Sequence, residues 1–80
     1  MFHYVYQLYS CEVPGHHYTG LTEDLEQRLA KHNRGEVPST ARFRPWRIEV
    51  AVAFRDRDKA VAFEKYLKSH SGRAFASRHF

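Results

Sequence analysis

Phe2-His3-Tyr4-Val5-Tyr6-Gln7-Leu8-Tyr9 is the stretch from which the fold can be read. Phe2, Tyr4, Tyr6 and Leu8 take one side of an alternation and His3, Val5, Gln7 and Tyr9 the other, in an aromatic-rich run that suits a β-strand. Ser10 to His16 follows and contains Pro14-Gly15, the pair favoured at the centre of a type II turn, and His17-Tyr18-Thr19-Gly20 then returns as a short second strand. A hairpin therefore opens the chain. Thr22 is placed as the N-cap of a first helix, with Glu23 and Asp24 at its positive end; the helix runs to about Asn33 and stops near Gly35.

Residues 36–45 read as a connecting loop, with one helical turn around Thr40 to Phe43 ended by the restriction that Pro45 places on Arg44. Ile48, Val50, Val52 and Phe54 alternate with Arg47, Glu49, Ala51 and Ala53, which predicts a third strand with one strongly apolar face. Asp56 caps a second helix to about Ser69, and Gly72 separates it from a short last helix, Arg73 to His79. The order ββαβαα predicts an α+β fold: a small three-stranded antiparallel sheet flanked by helices, in one domain over residues 1–80.

Length and composition bound the function. A chain of 80 residues buries little more than ~60% of its unfolded surface, which leaves one core and no deep cofactor cavity. No apolar run approaches the ~18 residues of a membrane span, and the single cysteine, Cys11, excludes a disulfide scaffold. The N-terminus lacks a basic region followed by an apolar one, so a cytoplasmic location is expected. Residues 1–26 hold four acids and no Lys or Arg, whereas residues 27–80 hold 13 basic against five acidic residues, giving +4 in total. Such a body suits a polyanion, and a solvated mixed surface is the plainer alternative.

Three polar residues fall where the helices should be apolar. Arg28 and His32 lie within about 60° of the stripe carrying Leu21, Leu25 and Leu29, and Glu64 lies within about 40° of Ala60 on the second helix. Snorkelling explains either of the first pair alone, and two on one stripe point to a polar groove. Glu64 needs a cation or a metal, and Arg28 is a candidate ion-pair partner. Tyr18, two residues before Gly20, can face the groove, and the missing side chain at Gly20 allows a ligand or backbone close approach. His16-His17 lacks the further ligands of a zinc site.

These residues resemble the GIY-YIG nuclease family. Tyr4-Val5-Tyr6 stands for the first motif and Tyr18-Thr19-Gly20 for the second; Arg28 lies ten residues after Tyr18, His32 one turn later, and Glu64 on a later helix. His32-Asn33-Arg34-Gly35, Arg44-Pro45-Trp46 and Ser71-Gly72-Arg73-Ala74-Phe75 look like the family's small stand-alone bacterial branch. The resemblance implies a metal-dependent DNA endonuclease that hydrolyses phosphodiester bonds, linked to repair or recombination. It implies that Tyr18 is the general base, Arg28 the scissile-phosphate clamp, Tyr6 a group orienting water or phosphate, His32 an acceptor for the phenol proton, and Glu64 the ligand of one Mg²⁺ or Mn²⁺. A free phenol titrates near ~10, so Tyr18 needs such help.

Tyr4 and Thr19 replace the motif residues at their positions, Leu21 stands where excision-repair members have lysine, and the only asparagine, Asn33, precedes the place of the family's late Asn. The alternative is a nucleic-acid-binding module of the same fold without useful catalysis, and a buried ligand-free network of Arg28, His32 and Glu64 is a third reading. Arg34, Arg42, Arg44, Arg47, Lys68 and Arg73 are the expected phosphate contacts, reading DNA by charge and shape rather than by sequence. A protein partner would be one way to supply specificity that so short a chain does not carry.

Overall fold

A computed structural model describes residues 1–80. The elements are β1 (His3–Ser10), β2 (His17–Thr22), α1 (Leu25–Asn33), a single 3₁₀ turn (Ala41–Phe43), β3 (Trp46–Phe54), α2 (Arg57–Lys68) and α3 (His70–His79). The sheet is antiparallel with order β2-β1-β3, so the opening hairpin supplies its centre and one edge. Gly15 has φ 84°, as the third position of a type II turn requires.

The central strand is covered on both faces, and Val5, Tyr6, Gln7 and Leu8 are all buried. On one face Val5 packs with Ala60 and Leu67 of α2 and Ala76 of α3; on the other Tyr6, Leu8 and Trp46 pack with Leu25 and Leu29 of α1. β3 departs from the expected single apolar face. Gln7 pairs with Val50 but Leu8 with Ile48, so Glu49 is an extra residue in the ladder. This bulge inverts the side-chain parity of β3. Phe54 thereby packs beside Val5, while Ile48 and Trp46 join Tyr6 and Leu8.

Two helix boundaries differ from expectation. The cap of α1 is Asp24, whose carboxylate accepts from the Gln27 N–H at 3.0 Å; Thr22 belongs to the extended β2 and its hydroxyl accepts from the Asp24 N–H at 3.2 Å. A carboxylate close to the helix amides satisfies them better than a hydroxyl two residues upstream. α3 begins at His70, because Ser69, extended at ψ 167°, ends α2 and caps α3 by accepting from the Gly72 N–H. Gly72 is therefore not a separator: it sits in the first turn of α3 against the Tyr66 carbonyl, where a Cβ would overlap the backbone. Asp56 caps α2 as expected, accepting from the Asp58 N–H at 2.8 Å. No helix is long and apolar enough to cross a membrane.

Candidate active site

Tyr6 on β1 lies opposite Gly20 on β2. A Cβ at Gly20 would meet the Tyr6 phenol, so the space that glycine leaves is filled by this ring rather than by a ligand. The ring thereby reaches α1, where the Arg28 Nε–H donates to the Tyr6 hydroxyl at 3.3 Å and the hydroxyl lies 3.0 Å from His32 Nε2. His32 Nδ1 is 2.8 Å from the Thr40 hydroxyl, which itself donates to the Val37 carbonyl at 3.2 Å.

The directions of these bonds follow from counting hydrogens. Arg28 can only donate, so the single Tyr6 hydrogen goes to the lone pair of His32 Nε2, and the neutral imidazole carries its own hydrogen at Nδ1, toward Thr40. Accepting from Nδ1–H, the Thr40 hydroxyl is left to donate to the Val37 carbonyl. A directed chain runs Arg28 to Tyr6 to His32 to Thr40 to the Val37 carbonyl, with Tyr6, His32 and Thr40 all buried. The loop bearing Thr40 is pinned in turn: Trp46 Nε1–H donates to the Thr40 carbonyl at 2.9 Å, and the Asn33 side chain donates to the Trp46 carbonyl and accepts from its N–H.

Charge within this chain is ordered by burial and by Arg28. Burial pushes the Tyr6 phenol up against the opposing pull of Arg28, with Tyr18 and Glu64 adding to the upward shift. The bond to Tyr6 raises Arg28 above its already high ordinary value. Burial, and then the charges of Arg28 and Lys31, push His32 below the ordinary imidazole value. The unfolded state thus binds the His32 proton more readily than the folded state does. The associated stability is fully present above the unfolded value of ~6.5 and is lost as pH falls from there through the lower folded value. Thermal midpoints measured from pH 7.5 down to pH 5 should therefore fall more steeply for the wild type than for His32→Gln, which shares the other five histidines; parallel curves would contradict this.

Tyr18 on β2 is half-buried, with its ring 5.0 Å from the His32 ring and 6.4 Å from that of Tyr6. It makes no hydrogen bond to His32, whose Nε2 accepts from the Tyr6 phenol instead of from Tyr18. The Tyr6 hydroxyl is committed to Arg28 and His32 and, being buried, holds Arg28 in place rather than meeting solvent.

Glu64 pairs with Lys68 one turn along α2, Oε2 to Nζ 3.1 Å, and not with Arg28 as one reading anticipated. Helical i,i+4 spacing brings Lys68 to it without crossing the sheet. Its charge still reaches Tyr6. No cluster of three His, Cys, Asp or Glu side chains exists. A single half-buried carboxylate does not fit zinc, but it fits Mg²⁺ or Mn²⁺, which take one or two protein carboxylates and complete their shell with phosphate oxygens and water.

Of the expected phosphate contacts, Arg34 lines the same polar cavity of about 320 Å³ as Arg28, and Lys68 and Arg73 line a depression beside Tyr18. Arg42 leans over Phe43 and Arg47 over Tyr9, the latter also reaching Glu49 at 3.3 Å. Arg44 sits beside Gly35, whose φ of 79° ends the turn after α1. These last three lie outside both hollows. Thr40 and Lys31 went unnoticed in the sequence. Lys31 carries a legible signal, its three-residue spacing from Arg28 and Arg34, whereas nothing local marks Thr40.

Residues 2–77 match the family described as the GIY-YIG catalytic domain. UPF0213 protein BH0048 of Halalkalibacterium halodurans is 38% identical over 74 residues, covering 91% of this chain and 77% of the relative. The solution NMR structure of UPF0213 protein BH0048 from Bacillus halodurans superposes with TM-score 0.57 at 33% identity, covering 98% of this chain and 84% of that one.

Proposed function

The chain belongs to the GIY-YIG catalytic-domain family, whose members are typically nucleases, and on that premise we propose that it is a metal-dependent endonuclease hydrolysing phosphodiester bonds in DNA. Repair or recombination is the setting that the family resemblance suggests. The observation that carries the reading is the bonded chain from Arg28 through Tyr6 and His32 to Thr40, which fixes a cation at the wall of an open polar cavity.

Tyr6 holds the Nε of Arg28, and the terminal nitrogens of the guanidinium, beside Tyr18, are the pair that would grip two oxygens of a phosphate. As general base, Tyr18, the less buried phenol, enters the step as the phenolate and takes one proton from the attacking water, becoming the neutral phenol. The low proton affinity of His32 keeps Nε2 available as the acceptor that orients the Tyr6 hydroxyl. Glu64 would hold one Mg²⁺ or Mn²⁺ once Lys68 swings aside, and the ion would stabilise charge on the leaving oxygen.

Incubation of purified protein with single-stranded, duplex, flapped and branched DNA in Mg²⁺ or Mn²⁺ tests this. Cleavage is expected with metal and none in chelator. Tyr18→Phe should lose roughly 10²–10⁴-fold in rate, the range for a lost general base, and Glu64→Ala should abolish the metal response. Cleavage that survives both substitutions would sink the assignment. Salt-dependent binding without cleavage would instead favour a binding module.

A further inference from the structure

Arg28, Lys31 and Arg34 follow one another at three-residue spacing on α1 and its C-cap, so their side chains form one ridge. All three line the 320 Å³ cavity, whose other walls are Thr22, Gln27 and Glu36. No apolar side chain contributes, so the cavity suits an anion rather than an apolar ligand. Arg28 and Arg34 are ~9 Å apart along the helix axis, which leaves room for more than one phosphate group.

Glu36 follows Gly35, with its N–H on the Lys31 carbonyl at 3.2 Å. Its carboxylate accepts from Arg34 Nε at 2.7 Å and from a terminal nitrogen at 3.3 Å, the two-pronged geometry a phosphate would use. Both partners are about half exposed, with side-chain accessibilities of 57% and 48%, so the pair adds little to folding stability. None of the ion pairs in the molecule engages Lys31.

We propose that this groove is a second phosphate site, which holds the phosphodiester next to the one that Arg28 grips. Lys31 and Arg34 are its contacts, and Glu36 is an internal anion occupying Arg34 until DNA displaces it. The inference rests on the DNA reading above and deepens it. Thr22 and Gln27 complete the wall with neutral hydrogen-bonding groups. The net positive lining attracts any phosphodiester backbone, while the Glu36 carboxylate sets a threshold that an incoming anion must exceed.

The test is fluorescence anisotropy of a labelled oligodeoxynucleotide in EDTA, where turnover is absent, between about 50 and 200 mM salt. Glu36→Gln should bind roughly two- to fivefold more tightly at the lower salt, with the difference shrinking as salt rises. Lys31→Ala should weaken binding and reduce the log–log salt slope by about one, and Lys31→Arg should restore both. Wild-type affinity and slope in both Glu36→Gln and Lys31→Ala would overturn the inference, and if the wild type still cuts DNA, the nuclease reading survives that failure. The expected binding shifts in a protein that cuts nothing would keep the phosphate site and remove the nuclease reading. Unchanged circular dichroism and thermal midpoints of the variants exclude misfolding as the cause.

Discussion

Arg28→Ala should reduce the rate of DNA cleavage by roughly 10²–10³-fold, the cost of removing one preorganised donor to developing charge, while the protein stays folded. The guanidinium donates Nε–H to a Tyr6 hydroxyl that also has His32 as a partner. Its removal therefore leaves one acceptor lone pair short of a bond and no orphaned donor, a modest destabilisation. Arg28→Lys keeps the charge but loses the planar fork, and one ammonium cannot serve Tyr6 and two phosphate oxygens together. Partial activity, well below wild type, is expected. A second readout separates a catalytic loss from general damage. Because the charge of Arg28 helps to hold His32 below the ordinary imidazole value, Arg28→Ala should move the His32 titration upward in NMR, and Arg28→Lys should not. Wild-type cleavage by Arg28→Ala would remove the site from consideration.

Trp46→Ala should lower folding stability by about 3–5 kcal/mol, the usual cost of emptying a buried aromatic site. Trp46 is 4% exposed and packs with Tyr6, Leu8 and Phe43. At roughly 4–8 °C per kcal/mol for a domain of this size, the thermal midpoint falls by at least ~12 °C. That is a large share of the total of about 5–15 kcal/mol, so a partly unfolded population is expected at 37 °C. Trp46→Phe isolates the indole bond to the Thr40 carbonyl: most of the ring remains while that carbonyl loses its donor, at about 1–3 kcal/mol. In this milder variant Thr40 is less firmly held against His32. A loss of cleavage at temperatures where Trp46→Phe is fully folded is then the expected sign that the loop positions the Tyr6-His32 pair. Equal loss of midpoint in Phe and Ala variants would show that packing contributes less than the hydrogen bond.

The three strands, their antiparallel sheet with flanking helices, the cap of α2, and the anomalous Arg28, His32 and Glu64 are legible in the order of residues alone. Each is written in periodicity within one element, where the pleat repeats every two residues and the helix every 3.6. The motif spacing likewise survived as family membership, because the β-hairpin and the helix after it hold those residues at fixed offsets. The rest depends on contacts between elements. The strand parity of β3 depends on an extra residue opposite the Gln7–Leu8 step, which no pattern within β3 reveals. The partner of His32 is Thr40, from a loop whose position Trp46 and Asn33 set, and the phenol across Gly20 is Tyr6 on the neighbouring strand. Glu64 turned to Lys68 because a helical neighbour lies one turn away, whereas Arg28 belongs to another helix and is bonded to Tyr6. A buried polar group must find a partner in three dimensions, and local periodicity marks which groups need one without saying which element will bring it.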